Sequence, residues 1–236
     1  MPMPPFKDDL PHRIADAFVA IVEQESYAKA SVSRLCAELE ISRQTFYRHF
    51  PNKFSVLAYV FLGDLARELF AQCPESELVY PTVDLQPDRE HPAMPVYARA
   101  PLVNSFMDQS KFISSLIQAM QRHRGYYLKL LDPRKEGVFV EYFKQLYTPL
   151  LAEDIRLILG DRYLPKKLIA YLAEYHTTGM IAMLPMQVAD NDRFSLDGDL
   201  NPLLNLTHES IYAAIERHHA SQPPEEESPF YALEHR

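Results

Sequence analysis

A chain of 236 residues with net charge −8, 47% hydrophobic and 24% charged side chains is long enough for one large domain or two small ones with a real core. Only 6 Gly stand against 19 Pro, which argues against Gly-rich phosphate loops, dinucleotide folds and turn-rich all-β architectures. No stretch approaches the roughly 18 apolar residues of a membrane span, the segment MPMPPFKDDL lacks an apolar signal core, and two cysteines, Cys36 and Cys73, are too few for a disulfide framework; the expectation is a cytoplasmic protein with buried thiols.

In chain order, Ile14, Ala17, Phe18 and Ile21 recur at i, i+3, i+4 and i+7 and predict a helix over 10–24. After Ser31, placed as an N-cap, Val32, Leu35, Cys36 and Leu39 share one face of a short helix that ends at Glu40-Ile41. Ser42 then caps a second helix of barely two turns, Arg43 to Phe50, stopped by Pro51. From Asn52 a new cap opens a long helix with Phe54, Leu57, Ala58, Phe61 and Leu65 in register. Prolines at 74, 81, 87, 92, 95 and 101 then predict a long irregular connection. Helical periodicity returns with Phe112, Leu116, Ile117 and Met120, with Phe139, Tyr142, Phe143, Leu146 and Leu150, with Leu168, Leu172, Tyr175, His176 and Gly179, and with Leu204, His208, Ile211, Tyr212 and Ile215. Pro185 is expected to kink or end the penultimate helix. The Pro-rich acidic stretch SQPPEEESPFYALEHR is expected to be a disordered tail.

Two short helices joined by a few residues have the layout of a helix-turn-helix, whose second helix enters the major groove. On that helix Phe46 and Phe50 lie four apart and suit the core, whereas Arg43, Gln44, Tyr47 and Arg48 project elsewhere with hydrogen-bonding side chains. Arg suits guanine and Gln suits adenine at base edges; Thr45, Tyr47 and His49 suit phosphate or a thymine methyl, and Lys53 pairs a cation with a helix start. Lys29, Arg34, Arg43, Arg48 and Lys53 stand against Glu38 and Glu40, a local charge of +3 in an acidic chain. Such a patch marks where a polyanion would meet the protein.

The run LCAELEISRQTFYRHFPNKFSVL resembles the signature of the TetR family of bacterial transcriptional regulators, most specifically at Thr45-Phe46-Tyr47, Phe50 and Lys53, and the resemblance covers about residues 10–65. It implies an all-α fold with an N-terminal three-helix DNA-binding domain, a connecting fourth helix, and a larger helical domain that binds an effector and forms a homodimer. The organisation expected is a flexible arm at 1–9, the helix-turn-helix domain at 10–52, a connecting helix at 53–73, the Pro-rich loop at 74–101, the effector and dimerisation domain at 102–219 and the tail at 220–236. The candidate DNA-contacting set is Ser31, Ser33, Ser42, Arg43, Gln44, Thr45, Tyr47, Arg48, His49 and Lys53. Glu40 stands where the family often has Gly, so a differently shaped turn is expected there. The Trp often found near the end of the family's penultimate helix is replaced by the neighbourhood of Leu184-Pro185-Met186.

Several tyrosines and a histidine on apolar faces need partners for their polar ends, and Tyr127, Phe143, Tyr147, Tyr175 and His176 are the candidate effector contacts, each alternatively plain core. Gly179, Met183, Ile211, Tyr212 and Ile215 are the candidate dimer contacts, on the last two helices. The partners expected are double-stranded operator DNA, a partly apolar small molecule and a second copy of the chain, with no cofactor and no membrane. His-Glu-x-x-His, Gly-x-Ser-x-Gly and Cys-x-x-Cys are absent from the sequence, and His176, His208, His218 and His219 are too scattered for a metal site, so no enzyme is expected. The expected function is a repressor released by its effector; the alternative is a TetR-like adaptor that has lost operator binding and acts through a protein partner.

Overall fold

The computed structural model describes residues 10–81, 94–99, 109–135, 137–189 and 202–220, with side chains described at 209–218 in the last stretch. The fold is all-α, an N-terminal helical head followed by a larger helical body: α1 (Leu10–Gln24), α2 (Val32–Glu38), α3 (Arg43–His49), α4 (Lys53–Gln72), α5 (Ser110–Arg122), α6 (Arg124–Leu130), α7 (Val138–Leu159), α8 (Lys166–Ala189) and α9 (Pro202–Ala220). The expected arm at 1–9 and the tail beyond 220 lie outside the described residues.

The connecting helix α4 decides how head and body relate. An amphipathic helix buries one stripe, yet residues 56–62 of α4 are buried at every position, so this helix is enclosed on all sides. It packs against α1 in the head and against α5 in the body. One continuous apolar cluster therefore runs from Ile14 and Phe46 in the head through Phe61 to Phe139 and Leu184 in the body. The boundary expected at 52/53 is a change of helix; the apolar core does not break there. A second cluster, Ile155, Ile158, Leu159, Leu164, Ile169, Leu172, Ala173, Ile211 and Ile215, joins the far ends of α7 and α8 to α9.

Asp64 sits inside the enclosed stretch of α4, 6% exposed. Its carboxylate accepts a hydrogen bond from the Tyr127 hydroxyl of α6 at 2.8 Å, with Arg122 Nε and His123 Nε2 at 3.7 and 3.8 Å. Burial raises its pKa, and the Tyr127 hydrogen bond, His123 and Arg122 offset this only in part.

Within the proline-rich stretch, residues 74–81 and 94–99 are described and carry regular elements that the sequence did not suggest; 82–93 and 100–101 lie outside the described residues. A single 3-10 turn at Glu75–Glu77 leads into β1 (Leu78–Val79), which pairs antiparallel with β2 (Tyr97–Ala98), Leu78 opposite Ala98 and Val79 opposite Tyr97. Prolines keep the strands to two residues, and side chains do the rest of the anchoring. Asp154 of α7, wholly buried, accepts from the Tyr97 hydroxyl at 2.5 Å, Arg99 Nε at 2.6 Å and Gln109 Nε2 at 2.9 Å. Tyr147 of α7 donates its hydroxyl proton to the Val96 carbonyl at 3.0 Å. The segment 94–99 is thus held onto the body by buried polar bonds.

Of the two outcomes expected of Pro185, a kink or an end, the end is not found: α8 continues to Ala189. Ile181, Leu184 and Val188 around it are buried in the main cluster, and that burial carries the backbone past the missing N–H. Cys36 and Cys73 are buried free thiols, the bland role expected of them.

Two stability experiments follow from these carboxylates. Asp154→Ala strands three donors and is expected to cost about 3 kcal/mol in urea unfolding. For Asp64, a raised folded pKa means that the folded chain binds the proton more tightly, so the stability is fully present below the unfolded value of about 3.9 and is lost as pH rises through the folded value. Asp64→Asn removes that dependence: melts from about pH 4 to about pH 7 should show the variant gaining on the parent chain as pH rises.

Candidate nucleic-acid interface

The head presents α3 by burying one face and fixing both ends. Phe46 and Phe50 are 0% and 1% exposed, and the Phe50 ring meets Tyr59 of α4 edge-on at 5.4 Å. Ser42 caps the start, its hydroxyl accepting from the Thr45 backbone N–H at 3.0 Å and lying 2.8 Å from the Thr45 hydroxyl. Ser31 does the same for α2, accepting from Arg34 N–H at 3.2 Å.

The turn between α2 and α3 has the shape that a glycine would give it, despite Glu40. Leu39 is the C-cap of α2, Glu40 adopts φ 55, the Ile41 N–H donates to the Cys36 carbonyl at 2.9 Å and the Glu40 N–H to the Ala37 carbonyl at 3.4 Å. These are the two bonds of a Schellman motif, with Glu40 as its left-handed residue. The differently shaped turn expected from the missing Gly is not found; the chain accepts a strained side-chain-bearing residue because Ile41 and Leu39 pack against the core on either side of it.

What α3 leaves in solvent is a row of donors. Arg43, Gln44, Tyr47 and Arg48 are exposed, and Thr45 and His49 are half-buried. The Arg43 Nη2 donates to the Ser33 hydroxyl at 2.6 Å, so the guanidinium is steadied across the turn. Tyr47 is 52% exposed with its ring edge on Phe46, a surface tyrosine. Ser31, Ser33 and Ser42 are exposed, Ser31 and Ser42 as caps and Ser33 as the brace of Arg43.

Lys53 is placed differently. Its ammonium donates to the Tyr27 carbonyl at 3.1 Å and lies 3.9 Å over the Tyr27 ring, so it is held inside the head. Tyr27 is a functional neighbour that sequence reasoning missed, because a contact across 26 residues leaves no periodic trace. Glu25 was missed likewise; its 2.6 Å pair with Arg34 reduces the local excess of positive charge counted from sequence.

Three of the five candidate effector residues come together and two lie elsewhere. Tyr127, Phe143 and Tyr147 are 0%, 0% and 2% exposed in a packed aromatic cluster with Phe61 and Phe139, with Phe143 and Tyr147 centroids 4.3 Å apart. The Tyr127 hydroxyl donates to Asp64 and the Tyr147 hydroxyl to the Val96 carbonyl. Tyr175 is 61% exposed, stacked on Tyr171 along the outside of α8, and His176 is buried with Nε2 2.8 Å from the Ser210 hydroxyl of α9. Facing residues of α5, α6 and α7 fill the space that periodicity alone left open.

The candidate dimer residues divide between core and surface. Ile211 and Ile215 are 1% and 0% exposed within the chain's own second cluster. Tyr212 and Met183 are half-buried. Gly179 has nothing within 4 Å of where a Cβ would stand, so no contact inside the chain requires glycine there. The face of α8 that is exposed carries Tyr171, Tyr175, Thr178, Ala182 and Met186, at spacings of three and four.

Among the described residues no group of three or more His, Cys, Asp and Glu is arranged to hold a metal, and no helix is long and apolar enough to cross a membrane.

Residues 14–60 match the family model for bacterial regulatory proteins of the tetR family. Over 53 residues, 22% of this chain and 28% of the relative, the sequence is 38% identical to the HTH-type dhaKLM operon transcriptional activator DhaS of Lactococcus lactis subsp. lactis (strain IL1403). The matched stretch therefore spans under a third of that relative. Among solved structures, the dihydroxyacetone kinase operon activator DhaS is 18% identical with a TM-score of 0.47, covering 88% of this chain and 96% of that one. The fatty acid degradation regulator FadR from Bacillus halodurans is 15% identical with a TM-score of 0.45, covering 87% and 96%.

Relieving the turn is a direct check on how the head is built. Glu40→Gly is expected to stabilise the chain by about 0.5–1 kcal/mol in urea unfolding, the left-handed penalty removed less the entropy that glycine adds.

Proposed function

We propose that this chain, which belongs to the TetR family of bacterial transcriptional regulators, works in the cytoplasm as a homodimer that reads a palindromic operator and is released by a small molecule. The observation that carries the reading is the exposed row Arg43, Gln44, Tyr47 and Arg48 on a helix whose other face is locked into the core. A helix held this way loses little freedom on binding, and its donors match base edges and phosphates. The exposed stripe of α8, with stacked Tyr171 and Tyr175, supports self-association, because a symmetric pair would cover it. Such a dimer reads half-sites about 34–36 Å apart.

The sign of regulation has two readings. Repression follows when bound protein blocks a promoter, whereas the relative matched over the head is named an activator. A reporter carrying the selected operator separates them by whether expression rises or falls when the gene is removed.

The decisive experiment is selection from random duplex DNA, followed by anisotropy at two salt concentrations. A palindrome should emerge, with affinity falling steeply with salt, and Arg43→Ala should weaken it by about 1–3 kcal/mol. A folded, dimeric chain that enriches no sequence, alone or with cell extract metabolites, would instead favour a relative that acts through a protein partner.

A further inference from the structure

We propose that Tyr27, in the turn between α1 and α2, is the positioning residue for Lys53: its ring and its carbonyl hold the ammonium so that an operator phosphate meets a cation already in place. This role rests on the DNA-binding reading above. It adds to that reading a residue, outside the two helices of the motif, that sets affinity without itself touching DNA.

The anchor is built from the turn upward. The Lys29 N–H donates to the Ser26 carbonyl at 3.1 Å and the Ala30 N–H to the Tyr27 carbonyl at 3.2 Å, so the Tyr27 carbonyl is fixed by its own turn. Buried Phe18 of α1 meets the Tyr27 ring edge-on, with centroids 6.0 Å apart, and fixes the plane of that ring. Onto this pair comes Lys53, the first residue of α4. Its Nζ donates to the Tyr27 carbonyl at 3.1 Å and stands 3.9 Å over the ring centroid, where the negative face of the ring attracts a cation.

The clasp leaves Lys53 competent for a phosphate. Both ties are to neutral groups, so neither cancels the charge of the ammonium. An ammonium has three N–H groups and the carbonyl takes one, so a phosphate oxygen can accept another while the contact with Tyr27 persists. Lys53 and Tyr27 are both half-buried, so the pair is not sealed from solvent. The dipole of α4 disfavours a cation in its first turn, and the two ties to Tyr27 are what keep the ammonium there. A loose lysine loses the freedom of its long side chain when it binds, whereas Lys53 has lost much of it in folding. Arg43, braced by Ser33, is held ready in the same way on α3.

The test measures the affinity of the full chain for the operator selected above. Tyr27→Leu removes the ring and keeps the carbonyl and the lysine charge; an exposed cation–π contact corresponds to about threefold in affinity per head, and so about tenfold for a dimer on two half-sites. Tyr27→Phe keeps the ring and should bind as the parent chain does. A general loosening of the head would act whatever stands at position 53, so the discriminating readout is the cycle with Lys53→Met, in whose background Tyr27→Leu should cost nothing further. The dependence of log affinity on log salt should be unchanged by Tyr27→Leu and shallower by about one per head in Lys53→Met. Should Tyr27→Leu not fold, 4-cyanophenylalanine at position 27 takes its place: the ring keeps its shape and loses its negative face, and binding should be weaker than that of Tyr27→Phe.

Unchanged affinity in Tyr27→Leu, or an equal loss with and without Lys53→Met, overturns the positioning role. Tighter binding by Tyr27→Leu overturns it as well, because the ring would then be withholding the ammonium from phosphate. In each of these cases an operator whose binding depends on Arg43 leaves the regulatory reading standing. A folded chain that enriches no operator overturns that reading and this role together.

Discussion

Burial of α4 on every side from Val56 to Leu62 is the constraint on which the rest depends. A helix so enclosed cannot slide or rotate without exposing apolar surface at one neighbour or another, each large side chain being worth about 1.5–3 kcal/mol. Its first residue, Lys53, borders the helix-turn-helix, and its interior aspartate, Asp64, is bonded to Tyr127 of the body. Displacement of α6 is therefore felt in the head through packing and a buried hydrogen bond at once. Close-packed interiors transmit strain in this way because they do not deform continuously.

The head spends its interactions on fixing α3 and leaves the binding surface unspent. Caps from Ser31 and Ser42, the Arg43–Ser33 bridge and the Phe46–Phe50–Tyr59 contacts all stabilise orientation. The strained Glu40 is tolerated in the same economy, a local cost of about 1–2 kcal/mol set against two turn hydrogen bonds and the packing of Ile41. In the body, buried polar bonds have a comparable role: Asp154 holds the proline-rich stretch at Tyr97 and Arg99 and ties both to Gln109 at the start of α5.

Much of this was legible in the residues. The helices at 10–24, 43–49 and 53–72, the caps Ser31, Ser42 and Asn52, the burial of Phe46 and Phe50 and the exposure of Tyr47 all follow from i, i+3, i+4 spacing and cap chemistry, which act within one or two turns. The effector and dimer residues were legible only as residue types on apolar faces. Which apolar face meets the core, and which meets solvent, depends on partners far away in sequence, so Tyr127, Phe143 and Tyr147 turned out to fill the core, Tyr175 to lie outside, and Ile211 and Ile215 to be covered by α7 and α8.

Sequence alone determined the helical class, the helix-turn-helix and the donors on its second helix, because local propensity, capping and periodicity are properties of neighbouring residues. Only the tertiary structure decided that α4 unites head and body in one core, that Asp154 pins the segment 94–99, that Lys53 rests on Tyr27, and that a cavity opens between Tyr27 and the start of α7. Each of these joins residues more than twenty positions apart, where no repeat or motif carries information and only the shape of the packed chain brings the groups together.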